Sequence, residues 1–200
     1  MIKLVEILNE YSKNDPIPEI THNNKKVLIV MLGAAGIGKS TFVKEYVLSK
    51  NLTFKIIDPD EMNFKITKSH DIYDKRVADM AVKYVISSAQ SGQNIIYDIT
   101  GRSESRIRTV VKELDSLGYT ILFIHLLSDL QKSLNQNAQR DRHVPDEKVK
   151  EYYDISQQLM RKYSSLPHEA YYVVVSLNNK YKFYKYVNGK LLRRKVDTYV

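Results

Sequence analysis

The chain has 200 residues, of which 43% are hydrophobic and 27% charged, a balance typical of one globular domain rather than a disordered segment. It contains no cysteine, which excludes disulfides, thiolate metal centres and a cysteine nucleophile. Its apolar runs are far shorter than the roughly 20 residues that cross a bilayer, and its first residues do not follow the pattern of a signal peptide. We therefore expect a cytoplasmic protein with no membrane partner.

The net charge of +8 is concentrated near the C-terminal end of the sequence. Seven basic residues and one acid lie within 178–200, so this stretch holds six of the eight net positive charges. Aromatic residues alternate with the cations: Tyr181, Phe183, Tyr184 and Tyr186. Because cations meet phosphates and rings stack on bases, the stretch favours nucleic acid as a partner. The alternative is a solvated strand whose lysines protect a sheet edge.

Apolar periodicity predicts a short N-terminal helix over 2–11, a loop over 12–24, and then strands that alternate with helices. The predicted strands cover 27–32, 53–57, 94–97, 120–127 and 171–177. The predicted helices between and after them cover 39–49, 71–91, 103–117, 129–140 and 146–163. Two-residue turn signals at 178–179 and 188–189 predict an antiparallel meander at the end.

This order of elements predicts an α/β fold with a mostly parallel sheet, because each helix returns the chain to start the next strand in the same direction. We divide the chain into an N-terminal helix and linker (1–24), a main domain (25–177) and a basic β extension (178–200). Ligands of open parallel sheets bind beyond the carboxyl ends of the strands. Residues that follow the strands are therefore the candidates for function.

A phosphate-binding loop follows the first predicted strand and precedes a predicted helix, and it matches the P-loop pattern G-x-x-x-x-G-K-[ST]. Its residues are Gly33, Ala34, Ala35, Gly36, Ile37, Gly38, Lys39, Ser40 and Thr41. Glycines let successive backbone N–H groups turn toward phosphates, and the helix N-terminus adds positive potential. In this pattern Lys39 reaches the β- and γ-phosphates of a nucleotide, and the Ser40 hydroxyl binds Mg²⁺.

Two carboxylates follow the second predicted strand. Asp58 and Asp60 flank Pro59, and a carboxylate beside the γ-phosphate can orient an attacking hydroxyl and accept its proton. We predict that Asp60 is this base, with Asp58 as the alternative. The structural interpretation is that the two acids shape a turn or cap a helix.

Polar residues also follow the third and fourth predicted strands. Asp98 follows the third predicted strand, and the structural alternative is that it holds an ordered water. Arg140 and Arg142 lie beyond the fourth strand, and paired arginines on a mobile segment can neutralise charge on a transferred phosphoryl group. The structural alternative is that the two arginines lie at a helix C-terminus, where the helix dipole favours cations.

From residue 27 to about residue 163 the chain resembles the small P-loop kinases that include polynucleotide 5′-hydroxyl kinases and zeta-toxin kinases. Zeta toxins are similar at the P-loop, at Asp58-Pro59-Asp60, and at the Thr100-Gly101-Arg102 segment that follows Asp98. Polynucleotide kinases are similar where two arginines precede Val144-Pro145 and a helix.

The resemblance implies an adenylate-kinase-like P-loop kinase core of three αβα layers, with a lid near 140–145. It implies ATP and Mg²⁺ as cofactors, and transfer of the γ-phosphate to a hydroxyl group. It also implies roles for single residues, in which Asp60 is the catalytic base, Asp98 and Thr100 face the acceptor, and Arg102 binds phosphate. The catalytic set is then Lys39, Asp60, Arg140 and Arg142.

Two positions depart from these families. Zeta toxins carry an acidic residue in the helix before the third strand, where this sequence has Val82, with Asp79 nearby. Polynucleotide kinases place an arginine one turn after the base, where this sequence has Asn63. Lys65 is the nearest cation, and it is therefore a further candidate for binding the acceptor.

The leading hypothesis is an ATP-dependent kinase whose acceptor is a hydroxyl of a polynucleotide or nucleotide, either at a 5′ end or on a modified base. The alternative is a zeta-toxin-like kinase of nucleotide sugars. A hypothesis of another class is a nucleotide- or nucleic-acid-binding module that transfers nothing. Asp60 and the two arginines argue against this last hypothesis, because a binding module needs neither. The sequence identifies no protein partner.

Overall fold

The structure is a computed structural model that describes residues 17–21, 25–50, 52–68, 74–139, 144–177, 180–188 and 190–194. The helix predicted over 2–11 lies outside the described residues, and so do Arg140, Arg142 and the turn predicted at 178–179.

One sheet of seven strands forms the centre of the fold. The strands are β1 (Val27–Leu32), β2 (Phe54–Ile57), β3 (Asn94–Ile99), β4 (Thr120–Leu127), β5 (Ala170–Leu177), β6 (Lys180–Val187) and β7 (Lys190–Arg194). Their order across the sheet is β2-β3-β1-β4-β5-β6-β7. The pairs among β1 to β5 are parallel, whereas β6 and β7 are added antiparallel. The predicted α/β class with an antiparallel extension is confirmed.

The connections between strands contain the helices α1 (Lys39–Phe42), α2 (Pro59–Thr67), α3 (Lys75–Gln90), α4 (Glu104–Ser116), α5 (Leu130–Ala138), α6 (Asp146–Ser156) and α7 (Leu159–Tyr163). Helix α1 continues as a π-helical turn (Val43–Val47) and a 3-10 turn (Leu48–Lys50), where the sequence predicts one regular helix. The helix predicted over 146–163 is divided into α6 and α7. Among the described residues, none of the helices combines the length and apolar character needed to cross a membrane.

Helices cover both faces of the sheet, and a hydrophobic cluster lies beneath each layer. The face covered by α3, α4 and α7, here the α4 face, buries residues such as Val85, Val110 and Leu159. The opposite face, here the α1 face, buries Phe42 and Val47 against the strands. This arrangement confirms the predicted three-layer αβα core.

The segment before β1 packs on the α1 face, although its sequence reads as a connecting loop. Ile17 and Ile20 are buried there, on either side of Glu19. Glu19 accepts hydrogen bonds from the Tyr172 hydroxyl and the Lys185 ammonium, each at 2.6 Å. Burial opposes ionisation, but the hydrogen bonds from Lys185 and Tyr172 prevail and hold the pKa of Glu19 below its ordinary value. The segment is thereby tied to β5 and β6.

Two of the four aromatic residues predicted to stack on bases belong to the core instead. Phe183 is buried, and its ring centroid lies 6.0 Å from that of Phe42 and 5.6 Å from that of Tyr46. Tyr181 packs edge-on against the same two rings, at 5.3 Å from each. Phe183 cannot stack on a base, because its ring is enclosed between β6 and the helix that follows the P-loop.

Candidate active site

The P-loop leaves the carboxyl end of β1 in the middle of the sheet and is held tightly against α5. Gly36 has a φ of +73°, and a Cβ atom there would lie 2.5 Å from the carbonyl oxygen of Ser133. Gly38 has a φ of +93° and directly precedes the first turn of α1. Only glycine fits at position 36, because a side chain there would collide with α5. The tight turn that lets backbone N–H groups surround phosphates depends on this glycine.

The side chain of Lys39 folds back over the start of the P-loop. Its Nζ donates hydrogen bonds to the carbonyl oxygens of Gly33 (2.8 Å) and Ala34 (3.1 Å). The same Nζ lies 3.6 Å from Oδ1 of Asp98, and the two side chains are only 13% and 11% exposed. This geometry places a positive charge between the P-loop and the end of β3.

Asp98 is a carboxyl group in an unfavourable environment. Burial raises its pKa to about 6; the nearby charge of Lys39 opposes this rise, whereas the negative charges of Asp58 and Asp60 add to it. Its Oδ1 is buried and makes no hydrogen bond within the described part of the chain. Such an oxygen can accept a hydrogen bond from a ligand or interact with a cation.

Asp58 and Asp60 have different positions although they are two residues apart. Asp58 caps α2, and its Oδ1 accepts hydrogen bonds from the backbone N–H groups of Asp60 (2.8 Å) and Glu61 (3.3 Å). The capping alternative raised by the sequence therefore describes Asp58. Asp60 lies in the first turn of α2 and lines both of the cavities of this region.

Two cavities meet at the carboxyl ends of β1, β2 and β3. The first has a volume of about 400 Å³ and is lined by the P-loop together with Gln136, Gln139 and Val144. The second has a volume of about 420 Å³ and lies between α2, α3, α4 and the end of β3. The two cavities share a wall formed by Asp60, Asp98, Ile99 and Thr100.

Three cations line the second cavity: Lys75, Arg102 and Arg106. The guanidinium carbon of Arg102 lies 4.2 Å from the ring centroid of Tyr152 on α6, a cation–π contact. Arg106 donates a hydrogen bond to the Asp79 carboxylate at 2.8 Å. This cavity is therefore suited to a ligand that carries negative charge.

Most of the predicted site residues come together. The first cavity gathers residues of the P-loop, the two acids around Pro59, and the end of β3: Ala35, Gly36, Ile37, Gly38, Lys39, Ser40, Thr41, Asp58, Asp60, Asp98 and Thr100. Arg102 lies in the second cavity. Lys65 lies in neither, because its exposed side chain pairs with Glu61 at 2.7 Å on the outside of α2. The positions of Arg140 and Arg142 fall outside the described residues, although Gln139 and Val144 on either side of them line the first cavity.

Lys75, Arg106 and Tyr152 were not predicted from the sequence. Arg106 follows Arg102 by four residues at the start of a predicted helix, and this spacing was a usable signal for one shared face. Lys75 and Tyr152 had no comparable local signal.

At the departure from zeta toxins, Val82 is buried in the core, whereas Asp79 accepts a hydrogen bond from a cation of the second cavity. At the departure from polynucleotide kinases, Asn63 is buried and accepts a hydrogen bond from the backbone N–H of Asp74.

A P-loop that joins a central parallel strand to a helix, beside polar residues at neighbouring strand ends, defines a P-loop nucleotide-binding protein. More particularly, the chain belongs to the AAA domain family, whose model matches residues 28–159.

Among curated proteins, the chain is similar to L-seryl-tRNA(Sec) kinase of Methanococcus maripaludis, with 25% identity over 132 residues. The match covers 64% of this chain and 51% of the relative, so the chain spans about half the length of that protein.

Solved structures with the same fold include three that cover most of the chain. They are the AvrRxo1-ORF1:AvrRxo1-ORF2 complex with sulphate ions (14% identity, TM-score 0.60, 94% of this chain and 68% of the other), the Pnkp1/Rnl/Hen1 RNA repair complex (18%, 0.58, 74% and 49%) and the PezAT chromosomal toxin–antitoxin system of Streptococcus pneumoniae (14%, 0.56, 88% and 79%). At these identities the likeness is one of fold. The predicted resemblance to P-loop kinases is confirmed.

Proposed function

We propose that the chain is an ATP-dependent phosphotransferase that moves the γ-phosphate of ATP to a hydroxyl group of a polynucleotide or nucleotide. The observation that carries the proposal is the wall shared by a P-loop cavity and a cationic cavity, which brings Asp60, Asp98 and Thr100 between two ligands. A nucleotide in one cavity and an acceptor in the other would meet at this wall.

On the nucleotide side, the P-loop supplies backbone N–H groups and Lys39 supplies positive charge for the β- and γ-phosphates. Mg²⁺ fits the oxygen atoms present, since Ser40 with its hydroxyl and Asp98, whose buried Oδ1 has no hydrogen-bond partner among the described residues, both line this cavity. No three described acidic, histidine or cysteine side chains are grouped to hold a metal alone, so the phosphates would supply further ligands. The bound ion would neutralise phosphate charge during transfer.

At the shared wall, Asp60 acts as the base. Its neighbour Asp58 already uses Oδ1 to cap α2, whereas Asp60 borders both cavities. As the acceptor oxygen forms its bond to the γ-phosphorus, the bond from that phosphorus to the β–γ bridging oxygen breaks and ADP leaves. The proton of the acceptor hydroxyl passes to Asp60.

On the acceptor side, the three cations favour an acceptor that carries phosphate near its hydroxyl. Arg102 and Arg106 provide planar guanidinium groups, which bind phosphate oxygens in pairs. Tyr97, Ile99 and Ile107 give the cavity an apolar part that suits a sugar ring or base. The similarity to a kinase named for seryl-tRNA supports a nucleic-acid acceptor.

A kinase of nucleotide sugars is the second candidate, because such acceptors are also anionic. The contact between Asp79 and Arg106 places an acidic side chain beside the second cavity, and acidic residues of this helix serve the acceptor in zeta toxins.

The test is transfer of labelled phosphate from ATP to a panel of acceptors: 5′-hydroxyl RNA and DNA oligonucleotides, DNA with modified bases, nucleosides and UDP-sugars. We expect transfer to a nucleic-acid or nucleotide member, and loss of transfer in Lys39→Ala, which removes the charge aimed at the phosphates. Lys44→Ala, an exposed lysine five residues further along, is the matched control and should be fully active. Transfer to UDP-sugars alone would select the second candidate. ATP binding without transfer to any acceptor would select the binding module.

A further inference from the structure

A group of cations on the antiparallel end of the sheet has no role in the two cavities. Residues alternate between faces along a strand, so Lys180, Lys182 and Tyr184 of β6 share one face. Arg193 of β7 lies directly opposite Tyr184 in the register and therefore shares that face. Lys180, Lys182 and Arg193 are exposed and Tyr184 is half-buried. These four residues are here called the basic ladder.

The cations of the basic ladder are divided between the last strand of the sheet and its neighbour. Lysines and arginines protect a sheet edge on its last strand, where backbone groups are unpaired, and Arg193 lies on such a strand, β7. Lys180 and Lys182 lie on β6 opposite Leu177 and Val175 of β5, just before the part of β6 that pairs with β7. Within the described part of the chain the ladder cations form no ion pair, unlike Lys185 on the other face of β6, which pairs with Glu19. Their charge is therefore available to an anion.

The basic ladder lies on the same face of the sheet as the second cavity, here called the acceptor cavity, and toward the same edge. Tyr184 packs on the hydrophobic cluster that includes Ile107 of α4, and Ile107 also lines the acceptor cavity. Strand β6 runs opposite to β3, so Lys180 at its start lies at the edge where β3 ends. Four strand spacings separate β3 from β6, which is roughly 19 Å.

We propose that the basic ladder binds single-stranded nucleic acid and holds the part of the acceptor that extends beyond the second cavity. This rests on the proposed function. The cations would contact backbone phosphates and Tyr184 would offer a ring to one base, so binding would depend little on sequence. At the rise of about 3.4 Å per nucleotide of a stacked strand, roughly six nucleotides reach from one surface to the other, and an extended strand needs fewer. A dinucleotide acceptor would therefore not contact the ladder.

The experiment compares a ladder variant with a control of equal charge. The ladder variant is Lys180→Gln/Lys182→Gln/Arg193→Gln, and the control is Lys44→Gln/Lys83→Gln/Lys112→Gln, which changes three exposed lysines elsewhere. Fluorescence anisotropy measures binding of a 5′-hydroxyl RNA of about 15 nucleotides, labelled at its 3′ end, over a range of salt concentrations. The same RNA and a 5′-hydroxyl dinucleotide serve as acceptors for phosphate transfer.

We expect the ladder variant to bind the long RNA roughly ten- to a hundredfold more weakly at 0.1 M salt, with a salt slope lower by about 2, since each lost phosphate contact removes about 0.7. Transfer to the dinucleotide should be unchanged, and the control should match the parent protein throughout. An unchanged salt slope in a folded ladder variant would overturn the proposal, as would an equal loss of transfer to the dinucleotide. Competition by polyglutamate as strong as that by RNA would also overturn it and indicate an acidic protein partner.

The two levels of proposal can fail separately. If both acceptors are phosphorylated and the ladder variant treats the long RNA and the dinucleotide as the parent protein does, the proposal for the ladder fails. The proposed function then remains in place. If no acceptor of the panel is phosphorylated, the proposed function fails, and anisotropy still reports whether the ladder binds the RNA.

Discussion

Asp98 is a carboxyl group that the fold keeps buried 3.6 Å from Lys39, and this has a measurable effect on stability. Its pKa in the folded chain is about 6, above the ordinary value of 3.8. The folded state therefore binds the proton more tightly than the unfolded state, so this group makes the chain less stable as pH rises from about 4 to about 6. The full effect is on the order of 3 kcal/mol.

Asp98→Asn should consequently raise the melting temperature at pH 8, where the native carboxylate is ionised, and change it little at pH 4.5. Thermal unfolding of both proteins at the two pH values measures this difference. Asp115→Asn, at an exposed position on α4, is the control and should show no such pH dependence. A gain of equal size at both pH values would mean that ionisation of Asp98 is not the cause.

Substitution of the two acids around Pro59 should have different effects, on kcat at Asp60 and on stability at Asp58. Asp60→Asn retains the shape of the side chain but cannot accept a proton, so we expect kcat to fall by roughly 10²-fold or more with an unchanged melting temperature. Asp58→Asn should keep both activity and stability, because asparagine also caps helices, whereas Asp58→Ala should lose about 1 kcal/mol of stability. Steady-state kinetics with parallel thermal unfolding distinguishes the variants. An inactive Asp58→Asn beside an active Asp60→Asn would exchange the two roles.

At the scale of elements, the sequence predicts best those strands that are buried on both sides. Strands β1 and β4 begin and end where predicted, because both are continuous apolar runs in the middle of a parallel sheet. Helix α2 was not predicted, since it buries only Pro59 and Asn63 and leaves Phe64 and Ile66 exposed, so it has no apolar stripe. Prediction from helical periodicity therefore fails for a helix that buries too few apolar residues to form a stripe.

The candidate site also has one part that the sequence predicts well and one part that it does not. The P-loop is a continuous motif, and its chemistry can be read from adjacent residues. The second cavity combines residues from α2, α3, β3 and α4, which are distant along the chain and meet only because the strands end at a common edge. For that reason Lys75 could not be found by spacing, and Lys65, which was nearer in sequence to Asp60, was a poorer candidate than Arg106.

Helices α6 and α7 hold the loop that carries Arg102. The Tyr163 hydroxyl donates a hydrogen bond of 2.6 Å to the carbonyl oxygen of Gly101. Gly101 has a φ of +83°, and a Cβ atom there would lie 2.7 Å from a methyl group of Leu159. The ring of Tyr152 then supports the Arg102 guanidinium, so two helices fix the position of one cation.

Tyr152→Leu should therefore raise the KM for the acceptor by roughly two- to fivefold, the equivalent of one exposed cation–π contact, without changing the KM for ATP. Tyr152→Phe keeps the ring and should behave as the parent protein. Steady-state kinetics with an acceptor from the panel measures both constants, and Tyr153→Leu is the control on the same helix. Equal effects of the Phe and Leu variants would point to the hydroxyl group rather than to the ring.

At the scale of the whole molecule, β6 completes the core although it belongs to the basic end of the chain. Phe183 lies against the helix that follows the P-loop, so loss of its ring opens a cavity between β6 and that helix. We expect Phe183→Ala to lower the free energy of unfolding by about 3–5 kcal/mol. Urea unfolding measures this value, and Tyr184→Ala, on the half-exposed face of the same strand, should cost clearly less. Similar losses for the two variants would argue that β6 is only a surface strand.

The wall shared by the two cavities offers a route to inhibitors. A compound that tethers a nucleotide analogue to a phosphorylated acceptor fragment across Asp60 and Thr100 would fill both cavities at once. Once one half is bound, the other is present at an effective concentration in the millimolar range, so we expect the tethered compound to bind about 10²–10⁴ times more tightly than either half. Calorimetric titration of compounds with tethers of graded length would show an optimum. Affinity that does not depend on tether length would mean that only one cavity is filled. Because P-loops are widespread, such a compound would owe its selectivity to the acceptor half.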